Sequence, residues 1–439
     1  MTSRVAFISL FLGLAARRQS VDVQTDPAVK ALRILLDGRE VAALTQPPWH
    51  AVIDFGPQLD PRPLEAIGFD EKGNEIGRAT QLLNLPRKTA ELEIVLQSGG
   101  IGPKGADLRW QHLQFKEPKS ATISFDKTPL KIDRNYHADF PEADWNHPHF
   151  IAAEVKFAGG LAARREIVVG GAVADTAQSE LTPVLVTQTA QPLPASFENC
   201  LLLDEQPVRT AAVEKPVALV TFVRDPDRAE ALRAIDPTHS MVDTYFSRAA
   251  LIHAIPLDND TEMRYLWPFP KKFADAGRQR AALLFDSSQD MSASTIGLVW
   301  FLTRTYSGRY YNEPLQLTDA VAVSGLRAMG EAQRRAVVLV VGKREDHSLN
   351  DSRAVRHYLA EIGVPLFVWS VTGPRPELTD IWGEVEDVSS INGLRAAADK
   401  LRENIAAQRI AWVDVDPLKA LRLRADSRCG MATVARHGT

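Results

Sequence analysis

Between Leu315 and Gly373 a helix-like segment, an apolar run, an amphipathic segment and a second apolar run follow one another, and this alternation demands parallel strand pairing. Thr318-Asp319 can cap a helix carrying Val321 and Ser324-Gly325-Leu326. Arg334-Arg335 then lead into Ala336-Val337-Val338-Leu339-Val340-Val341. That run is apolar on both faces, as a strand covered on both sides must be. Ser352 opens the next helix, with Val355, Tyr358, Leu359 and Ile362 at helical spacing, and Gly363 stops it before Val364-Pro365-Leu366-Phe367-Val368-Trp369. The unit is βαβ, closed by a right-handed crossover.

The 439 residues, 45% hydrophobic and 24% charged, suffice for roughly two to four domains. A formal charge of −4 argues against nucleic acid as partner, because phosphate binding needs a basic excess on one face. At the amino terminus Arg4 precedes the apolar run Val5–Leu14, and Ala15-Ala16 stand before Arg17-Arg18. This reads as an export signal over residues 1–16, with a first β-strand over Val5–Phe11 as the alternative. The run is too short to span a bilayer, and no later segment qualifies as transmembrane. An extracytoplasmic location follows: periplasmic, secreted or cell-surface. Cys200 and Cys429 lie so far apart that they define neither a disulfide framework nor a metal cluster, and they read as small apolar side chains.

Residues 20–86 show short strands at sandwich-like spacing, including a hairpin signal at Asp37-Gly38. Ile34-Leu35-Leu36-Asp37-Gly38-Arg39-Glu40-Val41, Pro47-Pro48-Trp49 and Ala66–Asn74 resemble the bacterial immunoglobulin-like modules of cell-surface proteins. That resemblance implies architecture and a recognition or spacer role. Residues 88–180 continue the β pattern as a second β domain. There His147, His149 and Glu154 carry metal-ligating groups, but Pro148 and the loop-like Asp144-Trp145-Asn146 favour a structural role. Residues 181–215 read as a linker, and 416–439 as a flexible basic tail.

From 216 to 415, the strand Val217–Val223, the strands Ala336–Val341 and Val364–Val371, Leu317–Val321, and the closing Val388-Ser389-Ser390 helix with strand Arg409–Val415 resemble the von Willebrand factor A-like fold. The likeness is to its diverged "VWFA-related" bacterial branch. The fold class expected is therefore multi-domain: two N-terminal β-sandwich-like domains plus a C-terminal α/β three-layer domain of von Willebrand A-like, Rossmann type.

That family's metal-ion-dependent adhesion site uses an Asp-x-Ser-x-Ser loop, a later Thr and a later Asp to surround Mg²⁺ with oxygens. Here Asp225 keeps the first position, Asp227 replaces the first serine, Ala229 removes the second, and Thr318 matches the threonine. Gly342-Lys343 stand where the last Asp belongs, with Asp346 farther along the loop. A rival register starts at Asp286-Ser287-Ser288-Gln289-Asp290, but only 32 positions separate Asp286 from Thr318, too few for the intervening elements. The implied site is degenerate: no cofactor and no metal is expected, with Asp225, Asp227, Thr318 and Asp346 as the residual Mg²⁺ candidates. The loops holding Asp225, Thr318 and Lys343 become a partner-binding surface at the carboxyl ends of the strands.

No Gly-rich phosphate loop, G-x-S-x-G elbow or H-E-x-x-H helix occurs. Ser370, Ser389 and the scattered His239, His253, His347 and His357 permit a triad by numbers alone, as nearly any chain of this length does, and each histidine reads as a core or surface residue. The expected function is non-enzymatic protein binding or scaffolding. A divalent-cation-dependent adhesion protein and a secreted hydrolase are the alternatives.

Overall fold

The computed structural model describes residues 5–434 except 10, 12, 87–89, 98–101, 113–116, 127, 148, 159–161, 170–180, 190–196, 198, 226–254, 256, 271–284, 294–297, 299–301, 303–313 and 374. The chain divides into two compact units, Met1–Pro86 with Leu181–Thr439, and Arg87–Glu180.

The first unit begins with β1 (Val5–Phe7), β2 (Arg18–Thr25), β3 (Ala31–Leu36), β4 (Arg39–Leu44), β5 (His50–Asp54), β6 (Arg62–Phe69) and β7 (Glu75–Leu83). They form two antiparallel sheets, β1-β2-β5 and β4-β3-β6-β7. Alternate residues such as Leu32, Ile34 and Leu36, or Leu64 and Ala66, point into one shared core, so the period-2 pattern fixes which face is inside. Asp37 (φ 51°) and Gly38 (φ 72°) both take the left-handed turn that matches strand twist, joining β3 to β4. The apolar run expected as an export signal is built into this sandwich. Val5, Phe11 and Ala15 lie in its core, and the Ala15 amide donates to Asn84 Oδ1 at 2.7 Å.

The second unit holds β8 (Ala90–Gln97), β9 (Gly105–His112), β10 (Ser120–Phe125), β11 (Thr128–Leu130), β12 (His137–Asp139), β13 (His149–Lys156) and β14 (Ala162–Val169). Sheets β11-β10-β13-β14 and β12-β9-β8 close over Ile94, Leu108, Ile123, Phe125, Ile151 and Val155. His149 is a structural residue here: Nδ1 lies 2.6 Å from Asp126 Oδ2, Nε2 lies 3.1 Å from the Asp144 carbonyl, and the ring stacks 4.9 Å from Phe125.

The remainder of the first unit carries β15 (Thr182–Gln188), β16 (Leu201–Leu203), β17 (Gln206–Pro207), β18 (Thr210–Glu214), β19 (Ala218–Arg224), β20 (Thr261–Pro270), β21 (Phe285–Ser287) and β22 (Met291–Ser292). After these come α1 (Leu317–Gly330), β23 (Arg334–Val341), α2 (Ser352–Glu361), β24 (Leu366–Ser370), α3 (Pro376–Trp382), β25 (Glu386–Asp387) and α4 (Ile391–Ala407). Last are β26 (Gln408–Val413), α5 (Pro417–Ala420), β27 (Arg424–Ala425) and β28 (Met431–Thr433). A mixed sheet runs β21-β20-β19-β23-β24-β25, parallel from β20 to β25, with β21 and β22 antiparallel against β20. Every residue of β19 and β23 is buried, because α1, α2 and α3 cover one face of the sheet and α4 the other.

The local βαβ order of 334–370 is thus present, with Val337 opposite Leu366 in parallel register. The fold class drawn from it is corrected. Among the described residues sheet predominates over helix, and the β-sandwich sheets are antiparallel, so the von Willebrand A-like, Rossmann-type description does not hold. The strand expected to close that domain, β26, instead pairs antiparallel with β15 and β18. Paired on one side by β15 and on the other by β18, β26 buries Ile410, Ala411 and Val413 in that sheet and has no free edge to offer the parallel one.

Three further corrections come from that sheet, whose order is β18-β26-β15-β28. Residues 181–215, expected as a linker, supply β15 to β18. Residues 416–439, expected as a flexible tail, supply α5, β27 and β28, with Leu423 and Met431 in a core they share with Val186, Leu201 and Val413. Cys200 and Cys429, expected as isolated apolar side chains, are joined by a disulfide across 229 positions.

Candidate functional site at the carboxyl ends of the parallel strands

β19, β23 and β24 end at Arg224, Val341 and Ser370, and the loops that follow contain most of the residues singled out from sequence. Asp225 follows β19 and is 1% exposed. Its amide donates to the Val340 carbonyl at 2.9 Å, and its Oδ2 accepts from the Arg344 amide at 3.0 Å. Gly342 leaves room for this carboxylate, since a Cβ there would sit 2.5 Å from Asp225 Oδ2. The Gly342 carbonyl accepts from Arg375 Nη1 at 2.9 Å, which ties the loop after β23 to the loop after β24.

At the head of α1 the expected capping residues sit inside the first turn, and the caps arrive from elsewhere. Gln316, at the helix boundary, makes no side-chain cap. Asp346 does so from 28 positions away: Oδ1 accepts from the Leu317 amide at 2.9 Å, and Oδ2 from the Thr318 amide at 3.0 Å and hydroxyl at 2.6 Å. Ser348 Oγ accepts from the Asp319 amide at 3.0 Å. Three amides without intrahelical partners are satisfied in this way, two by a negative charge at the positive end of the dipole and the third by a hydroxyl. Asp319 answers from the helix, accepting from the Leu349 amide at 2.7 Å and from the Asn350 amide and side chain at 3.0 and 2.7 Å. Burial pushes the Asp319 carboxyl up, with these hydrogen bonds opposing it.

These contacts correct the expected surface. Asp225 and Thr318 are buried posts, 1% and 0% exposed, and neither can meet a partner. Lys343, Glu345, Asp346 and His347 are exposed in the loop they support, as is Leu349 at 57%. Arg17 Nη2 donates to the Leu349 carbonyl at 2.6 Å, anchoring the loop's far end. Asp227 lies outside the described residues, as do His239 and His253. The rival Asp286–Asp290 register is an antiparallel edge: β21 pairs with β20, and Asp290 holds Arg264 through two contacts of 2.7 and 2.9 Å. Ser370, 0% exposed, donates to the Gly373 carbonyl at 2.6 Å, while the His347 amide donates to the Leu315 carbonyl and His357 faces Asp60 at 3.9 Å. Among the described residues no group of three or more His, Cys, Asp or Glu is arranged to hold a metal ion.

The sequence signals for this arrangement were present only in part. Asp-x-Ser at 346–348 looks like an ordinary turn, and nothing local shows that it caps a helix beginning at Leu317.

The chain matches no family model and no curated protein. Among solved structures, the fibronectin(III)-like modules of Clostridium thermocellum CbhA align over 38% of this chain and 93% of their own, at 12% identity and TM-score 0.17. The central fibronectin-III array of RIM-binding protein aligns over 45% and 81%, at 9% identity and TM-score 0.25. The Bacteroides ovatus glucan-utilization protein SGBP-B, solved with a mixed-linkage heptasaccharide, aligns over 48% and 59%, at 13% identity and TM-score 0.15. The resemblance to VWFA-related proteins with an immunoglobulin-like module is corrected on the strand pairing described above, and no family is assigned.

Proposed function

We propose that this protein is a non-enzymatic binding or scaffolding protein of an extracytoplasmic compartment that engages a protein partner through the loop from Lys343 to Asn350. The observation that carries this reading is the way the loop is held. Asp225, Asp319 and Asp346 spend their carboxylate oxygens on its backbone amides or on the helix it caps, while Lys343, His347 and Leu349 face outward. A loop fixed before binding loses little conformational entropy on association, and an exposed leucine among polar neighbours suits a protein contact. Carboxylates committed to amides are poor proton shuttles and poor cation ligands, which supports a role without catalysis or cofactor. The Cys200–Cys429 disulfide supports the compartment, since such bonds persist where the surroundings oxidise. No helix among the described residues is long and apolar enough to cross a membrane.

The test is capture from envelope extracts with wild-type protein and the Leu349→Asp and Lys343→Glu variants. A specific protein held by wild type and lost by both variants, with unchanged circular dichroism, is the expected result. Equal capture by all three, or turnover of ester, phosphate or glycoside substrates that depends on one histidine, would sink the proposal.

A further inference from the structure

At the opposite, amino ends of the parallel strands, two consecutive arginines open β23 with different fates. Arg334 is satisfied: Nε donates to the Pro216 carbonyl, Nη1 to the Ile405 carbonyl, and Nη2 to the Asp260 carbonyl while facing its carboxylate. Arg335 points to the other face and is 2% exposed. Its backbone is clamped by Gln408, which accepts from the Arg335 amide at 2.8 Å and donates to its carbonyl at 3.0 Å. Its side-chain Nε and Nη1 are buried and have no hydrogen-bond partner among the described residues. Burial alone pushes the guanidinium down to about 10, so no carboxylate contributes to holding its charge.

Arg335 lines a half-open cavity of about 50 Å³, walled by Val184, Leu185, Met329, Ile362 and Leu423. Most of its walls are apolar, and its mouth is open to solvent. A buried, unpaired guanidinium is costly, and its N–H groups fit the two oxygens of a carboxylate. The carboxyl ends of α1 and α2 also border the cavity, through Met329 and Glu361. The partial negative charge of those helix ends disfavours a dianion such as phosphate.

We infer that this cavity is a binding site for a small monocarboxylate with an apolar tail, its carboxylate on Arg335 and its tail against Val184, Leu185 and Leu423. The site is separate from the loop at the carboxyl ends of the strands, so it stands or falls independently of the function proposed above.

The test titrates the full-length, disulfide-intact protein with hexanoate and with hexanol, following binding by calorimetry and the thermal midpoint by fluorescence. Hexanoate is expected to bind and raise the midpoint, and hexanol to bind at least about tenfold more weakly, as loss of a charge-assisted pair implies. Arg335→Met is expected to abolish the preference for hexanoate while matching or exceeding the wild-type midpoint without ligand, because it replaces an unpaired charge with an apolar chain. Arg335→Lys, which keeps the charge but loses the fork, is expected to bind hexanoate more weakly than wild type. Equal affinity of the wild type for hexanoate and hexanol overturns the inference, as does undiminished hexanoate binding by either variant. The comparison of the two ligands on wild type decides the matter even if a variant fails to fold.

Discussion

At the scale of residues, the site is an exchange of carboxylates between a loop and a helix. Asp346 caps α1 and Asp319 holds the loop, so each element is incomplete without the other. Asp346→Ala is expected to lower stability by about 2 kcal/mol in urea denaturation, the upper range for loss of an N-cap, because it orphans the buried amides of Leu317 and Thr318. Asp346→Asn, which keeps one acceptor, should lose visibly less. The second unit offers a pH signature. The Asp126 carboxylate holds the His149 imidazole above its usual range, and Asp107 does the same for His137. A raised imidazole stabilises the fold fully below the ordinary value of 6.5, and that contribution is lost as pH rises through the folded value. Asp126 and Asp107 are held low, so their share is present above the ordinary 3.8 and lost as pH falls. Proton NMR should find both histidines titrating above 6.5, and His149→Gln should flatten the decline in thermal midpoint between slightly acidic and alkaline pH. Midpoints below 6.5 would contradict the geometry. None of these pairs was legible in sequence, because each joins residues 23 to 30 positions apart, too far for any local pattern to register.

At the scale of elements, legibility followed burial. The strands around Val338 and Val368 are covered on both faces and read as continuous apolar runs, and the α2 stripe of Val355, Tyr358 and Leu359 stood out at helical spacing. Asp351, the residue before that helix, accepts from the Arg353 and Ala354 amides at 3.0 and 3.1 Å and marks its start. What failed was extension of this order to β26, because its partners β15 and β18 lie about 200 residues earlier in the chain and no local pattern marks them. Close approach between elements yields a sharper test. A Cβ at position 342 would meet the Asp225 carboxylate at 2.5 Å, and that carboxylate accepts from the Arg344 amide while the Asp225 amide donates to the Val340 carbonyl. Gly342→Ala is therefore expected to cost about 1–3 kcal/mol by overpacking, read as a lower denaturation midpoint with unchanged slope. An alanine variant as stable as wild type would show that the loop can give way, and with it the claim that the loop is fixed in advance. Gly325 in α1 is less demanding, because its neighbour at 3.1 Å is the flexible Leu359 side chain.

At the scale of the whole molecule, the disulfide is the feature sequence concealed most fully. Two cysteines 229 positions apart show nothing of their proximity until β16 pairs with β27 and β15 with β28. In the chain-entropy account a loop this long makes the bond worth about 5 kcal/mol at most. Cys200→Ser with Cys429→Ser, or reduction of the native protein, should lower the thermal midpoint by several degrees, and an unchanged midpoint under reducing conditions would show that the surrounding core suffices alone. The bond also imposes an order on assembly. During synthesis Cys200 leaves the ribosome long before Cys429, and the whole of β19 to β26 must emerge between them. A nascent chain therefore carries an unmated thiol through about the second half of its synthesis, exposed to capture by any other oxidisable sulfur. Sealing of the pair becomes a late mark of completion, which separates finished molecules from those stalled partway.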